Sequence, residues 1–141
     1  MRLFIISVLI FVLHILRPAD GYAQTFYQTY ASGSSMIGAS IIASPDGNLF
    51  VGGGKDDSAL VMKIDPLGEV LWTVSFKAAS ATTPLYVTSM EITPDNFLIG
   101  TGVGLIPSNL YPADGFYFKM SLNGDMEYCN AISGLGYRFT I

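Results

Sequence analysis

This chain repeats itself, and the repeat limits what it can fold into. The string ALVMKIDPLGEVLW at 59–72 returns as GFYFKMSLNGDMEY at 115–128, at a constant offset of 56. Lys63 then corresponds to Lys119, Gly68 to Gly124, Glu69 to Asp125 and Trp72 to Tyr128. Upstream, SPDGNLFVGGG at 44–54 resembles TPDNFLIGTG at 93–102, read with one residue deleted from the second copy. A third, partial copy stands at 26–30, where FYQTY resembles WTVSF at 72–76. A tandem unit of this size cannot bury its apolar side alone, so the copies are expected to stack on one another.

Within each copy, short runs of Val, Ile, Leu, Phe and Tyr are bounded by Gly, Pro, Asn and Asp, which is the pattern of strands and tight turns. The spacing predicts strands over Met36–Ala43, Asn48–Gly53, Ala59–Asp65 and Glu69–Lys77, then over Tyr86–Ile92, Phe97–Gly102, Phe116–Ser121 and Met126–Ile132. Pro45-Asp46-Gly47-Asn48 and Pro94-Asp95-Asn96 put a fixed φ at a corner and a residue tolerant of positive φ after it. Pro66-Leu67-Gly68 and Leu122-Asn123-Gly124 join the third strand to the fourth, and Asn-Gly is a strong hairpin signal. No sustained helical period follows residue 23, so helix is expected to be minor. The connection 101–115 is about eight residues longer than its counterpart 53–59, and long loops on one face of a repeat array are where binding concentrates.

The first residues read differently. Residues 3–16, LFIISVLIFVLHIL, carry no charge; Arg2 precedes them and Arg17-Pro18 ends the run. A basic start, an apolar core and a small-residue exit make a secretory signal peptide, with Gly21 and Ala23 at the cleavage site and residues 1–23 removed. A spanning helix needs about 20 apolar residues, which this run does not reach. The exported chain, 24–141, therefore forms the one domain, and membrane contact is expected only through the signal before cleavage. The expected destination is the periplasm, the cell surface or the medium.

Export changes the chemical inventory. His14 is the sole histidine and leaves with the signal, which removes Ser-His-Asp and Cys-His arrangements and His-based zinc sites. Lys55, Lys63, Lys77, Lys119 and Arg138 are then the five basic residues against ten acidic ones, a balance that argues against nucleic acid as a partner. Cys129 stands alone, so no intramolecular disulfide forms, and no cation flanks it to make its thiol reactive. The glycines at 52–54 and at 100, 102 and 104 suggest close strand packing and not a phosphate loop, because no Lys-Ser or Lys-Thr follows them. No cofactor and no metal site is expected.

Paired carboxylates are the remaining route to acid–base chemistry. Asp56-Asp57 and Asp114 are read as loop residues; a glycosidase would need two such groups about 5 to 10 Å apart across one cleft. Trp72, Tyr86, Tyr111, Phe116 and Tyr117 are candidates to stack on sugar rings, although Trp72 is assigned to packing between sheets. Asp57, Tyr111 and Asp114 remain as ligand-contact candidates, with contacts expected from loop residues 103–114.

Two elements in order, Pro45-Asp46-Gly47 through Gly53, then Val61, Lys63, Ile64, Asp65, Gly68, Val70 and Trp72, resemble the blade repeats of secreted bacterial β-propeller proteins. The resemblance covers about 24–132 and occurs twice, with Ser121 in place of Asp65 and Tyr128 in place of Trp72 in the second copy. It implies an all-β fold of about two four-stranded antiparallel propeller-type blades, at about 36–77 and 86–132, in an exported or surface protein. Propellers typically hold four to eight blades. The chain is thus expected to be an N-terminal fragment of a longer array, a truncated product, or a self-associating unit. The expected function is a non-catalytic binding or scaffolding module whose partner is a further blade, a second copy, or an extracellular glycan or protein. The alternatives are part of a carbohydrate-active or other propeller enzyme, or a product without independent function.

Overall fold

A computed structural model of the chain describes residues 28–30, 33, 35–78, 84–105, 112–132 and 139–140. The expected signal peptide, 1–23, lies outside the described residues. Among those residues no helix is long and apolar enough to cross a membrane.

The described residues form strands and no helix: β1 (Met36–Ala43), β2 (Leu49–Lys55), β3 (Ser58–Ile64), β4 (Val70–Ala78), β5 (Leu85–Ile92), β6 (Phe97–Leu105), β7 (Pro112–Ser121), β8 (Met126–Ala131) and β9 (Phe139–Thr140). They build two antiparallel sheets that do not close on each other. Sheet 1 runs β1-β2-β3-β4, with β9 adding two residues at the β4 edge; sheet 2 runs β5-β6-β7-β8. The expected all-β class, with two four-stranded blade-like sheets, is what the chain forms.

The repeat is visible in the register. β1 meets β2 from Ala43↔Leu49, and β5 meets β6 from Ile92↔Leu98, an offset of 49. Both first strands carry a bulge at the same place, between Gly38 and Ser40 and between Val87 and Ser89. Both turns are closed alike: the Ser44 N–H donates to the Asn48 carbonyl and the Thr93 N–H to the Phe97 carbonyl, each at 2.8 Å. Phe97 therefore stands where Asn48 does, and the deletion read from the sequence is not present. That alignment superposed the glycines, whereas the backbone superposes the turn. At the turn tip Gly47 has φ 85° and Asn96 has φ 61°, the left-handed conformation that Asn tolerates best after Gly.

The third and fourth strands keep the offset of 56, with matching irregularities at Lys63/Ile64 and Lys119/Met120. The change from 49 to 56 falls in the hairpin between the second and third strands, and here a second expectation is corrected. Residues 103–105 and 112–114 are not loop. The ladder continues through Gly104↔Asp114 to Leu105↔Pro112, so Asp114 lies in β7. Val103 and Leu105 are strand formers, and continuing the ladder gives their backbone groups partners that a loop would leave to solvent.

The sheets pack face on face. The front of sheet 1 carries three cross-strand rows: Phe50–Lys63–Trp72, Gly52–Val61–Val74 and Gly54–Ala59–Phe76. Against it lies the back of sheet 2, with Val87, Leu98, Phe116, Phe118 and Met120 buried. Phe76 from β4 meets two rings of β7, Phe116 at 5.7 Å edge-on and Phe118 at 5.4 Å. The approach is close because β2 lacks side chains where β5 arrives. A Cβ on Gly52 would lie 2.7 Å from Val87 Cγ1, and one on Gly54 2.5 Å from Tyr86 Cδ1. Hydrogen bonds stitch the sheets among the described residues: Lys63 Nζ donates to the Leu122 carbonyl and the Leu85 N–H to the Asp57 carbonyl, both at 3.3 Å.

Candidate functional site

Of Asp57, Tyr111 and Asp114, Asp57 alone has its side chain among the described residues. Asp57 is exposed in the β2–β3 turn, beside Asp56 with φ 52°, and its carbonyl is spent on Leu85. Asp114 sits in the β7 ladder, and its side chain lies outside the described residues, as does Tyr111. Among the described residues no group of three or more His, Cys, Asp or Glu side chains is arranged to hold a metal ion. Cys129 lies in β8 opposite Phe118 and packs against the core; burial pushes its thiol up to about 12, so it is not a thiolate near neutral pH.

Of the aromatic residues considered as sugar-stacking groups, Phe116 is sealed in the core. Trp72 packs on the Phe50 ring at 5.8 Å, as its assignment to packing required. Its Nε1–H is buried with no hydrogen-bond partner among the described residues.

Tyr117 behaves differently, because the front of sheet 2 is open. By the two offsets, the front face of sheet 2 corresponds row by row to the front face of sheet 1. Ile99–Lys119–Tyr128 stands for Phe50–Lys63–Trp72, and Thr101–Tyr117–Asn130 for Gly52–Val61–Val74. The buried Val61 is 0 % exposed, whereas Tyr117 at the same place is 41 % exposed and Tyr128 is 42 % exposed. The two tyrosine rings meet edge to face at 5.8 Å with planes 71° apart. Beside them runs a shallow groove of about 290 Å³, flanked by Ser89, Glu91, Ile99 and Thr101. Glu91 shares a cross-strand row with Ile99, Lys119 and Tyr128.

Electrostatics at this face are nearly neutral. Lys119 lies 3.9 Å over the Phe97 ring and pairs with Asp95 at 3.3 Å. A hydrogen bond from Thr93, and then Lys119, holds the Asp95 carboxyl below its ordinary value. Lys119 is thereby occupied, and Glu91 is an exposed carboxylate beside the tyrosines. Thr101 and Asn130 were not legible as site residues, because only the offset of 49 sets Thr101 beside Tyr117. That offset could have been found by aligning the two Pro-Asp turns without a gap.

No family model matches the chain. No curated protein matches it. Among solved structures, a protein of unknown function from Bacteroides caccae is similar at 14% identity with a TM-score of 0.46, over 72% of this chain and 30% of that one. The chain thus spans under a third of the length of that neighbour.

Proposed function

We propose that the chain is an exported, non-catalytic binding module built from propeller-type β repeats. One observation carries this reading. Of two equivalent sheet faces, one is sealed by its neighbour, and the other stands open with paired tyrosines, hydroxyls and an amide. Open aromatic and neutral polar surface suits recognition of a ligand, whereas acid–base chemistry needs titratable groups held opposite one another. The propeller-type reading draws support from the same four-strand unit, bulge and turn occurring twice. It draws further support from residues 28–30. They border a groove on the back of sheet 1 beside Leu60 and Met62, and the Tyr30 hydroxyl donates to the Gly68 carbonyl at 2.9 Å. Leu60 and Met62 are the counterparts of Phe116 and Phe118, on which β4 of sheet 1 packs.

Export rests on the leader at 1–23. The test is one preparation of the full chain made with its own leader. Its mass is expected to begin at Gln24, and a panel of polysaccharide and peptide substrates is expected to show no turnover. Turnover abolished by Asp57→Asn or Asp114→Asn would overturn the non-catalytic reading in favour of an enzyme.

A further inference from the structure

The open front of sheet 2 is not a copy of the sealed front of sheet 1, and the differences fall where a covering sheet would touch. At Gly52 and Gly54 a Cβ would stand 2.7 and 2.5 Å from side chains of the arriving strand. Their counterparts in sheet 2 are Thr101 and Val103. Both are β-branched, so a further sheet cannot approach at the spacing that seals sheet 1. The polarity has changed as well. Val61 is replaced by Tyr117 and Val74 by Asn130, and an apolar sheet laid over these would leave a hydroxyl and an amide without partners.

We propose that this face binds a neutral glycan chain, its pyranose rings resting on Tyr117 and Tyr128 and its hydroxyls meeting Ser89, Glu91, Thr101 and Asn130. The inference rests on the binding-module reading and names its ligand class. Pyranose rings present a flat C–H face that suits a tyrosine ring, and an equator of hydroxyls that both donate and accept. The face offers matching groups: hydroxyls and an amide that do both, and one carboxylate that accepts. It is open and unwalled, which fits a polymer lying across it more than a small molecule needing enclosure. Glu91 is exposed on it and Lys119 is held by Asp95, which disfavours an anionic polymer.

The test is affinity electrophoresis of the full chain, made with its own leader, in gels containing a soluble cellulose derivative, xylan, galactomannan or mixed-linkage β-glucan. Light scattering is run in parallel. At least one polymer is expected to retard the protein, and Tyr117→Ala and Tyr128→Ala are each expected to weaken that binding at least tenfold. Asn130→Ala, an exposed change that spares the aromatic pair, is expected to weaken it several-fold and guards against misfolding of the tyrosine variants. Retardation by none of the four polymers would overturn the proposal. Retardation untouched by all three variants would also overturn it, while leaving the binding-module reading intact. Self-association of the parent chain that Tyr117→Ala abolishes would assign the face to a second copy instead.

Discussion

Ser44 and Thr93 open two turns that the backbone closes alike. The Ser44 hydroxyl bonds the Asp46 carboxylate, which also accepts the Asn48 N–H at 3.1 Å; in the equivalent turn the Thr93 hydroxyl donates to the Phe97 carbonyl at 3.0 Å and accepts the Phe97 N–H at 3.1 Å. Hydrogen bonds from Ser44 and then the Asn48 backbone hold Asp46 below its ordinary value of 3.8, and Thr93 and then Lys119 do the same for Asp95. A carboxyl whose folded value is depressed favours folding once it is ionised. Its contribution is therefore complete above the unfolded value and disappears as pH falls through the folded one. The urea midpoint of the chain is expected to drop as pH falls below about 4. The double variant Asp46→Asn, Asp95→Asn is expected to show a smaller drop over the same range. An equal drop in both proteins would mean these turns do not contribute. Both carboxylates are exposed, so the effect is small and salt-sensitive.

In β2, glycine is a spacing device. Gly52→Val would drive a branched side chain into Val87 and Met90, both already within 2.9 Å of an ideal Cβ. The expected cost is about 1–3 kcal/mol, the usual range for overpacking a tight contact. Val103→Ala, at the counterpart of Gly54 on the open face, is expected to change stability by less than about 0.5 kcal/mol. Chemical denaturation of both variants checks the contrast, and equal costs would mean the two faces are equally covered. This asymmetry is where sequence reading stopped. Turns were legible because Pro45, Gly47, Pro94 and Asn96 act within four residues of chain. Most strand ends came within two residues for the same reason. The β6–β7 hairpin did not, since ladder extension past Gly102 is decided by cross-strand partners that a local pattern does not contain. The repeated glycines drew the alignment to themselves, although Gly52 serves the contact with sheet 2 whereas Gly100 lies under the Phe118 ring of its own sheet. With that register lost, Thr101 could not be set beside Tyr117, and the open face stayed hidden.

For the molecule as a whole, an aromatic junction joins the two sheets beside the close approach of β5 to β2. Phe76 is the β4 residue that touches both Phe116 and Phe118, and it is 1 % exposed. Phe76→Ala is expected to cost about 3–5 kcal/mol, from lost burial and the cavity left behind. Domains of this size are typically stable by about 5–15 kcal/mol, so the variant stands near the edge of folding. Thermal unfolding followed by near-ultraviolet circular dichroism checks this. A loss below about 1 kcal/mol would show that the sheets hold together without the junction.

Front-on-back contact is heterologous, and a heterologous contact repeated between separate molecules has no two-fold axis to end it; it forms a ring or an open filament. Thr101 and Val103 stand at the one strand where such growth would continue, and Tyr30, bonded to Gly68, crosses the opposite end. Two branched side chains and Tyr30 would thus stand in the way of such growth. A chain with glycine placed at 101 and 103 would lose one of those obstacles while keeping the greasy stacking chemistry.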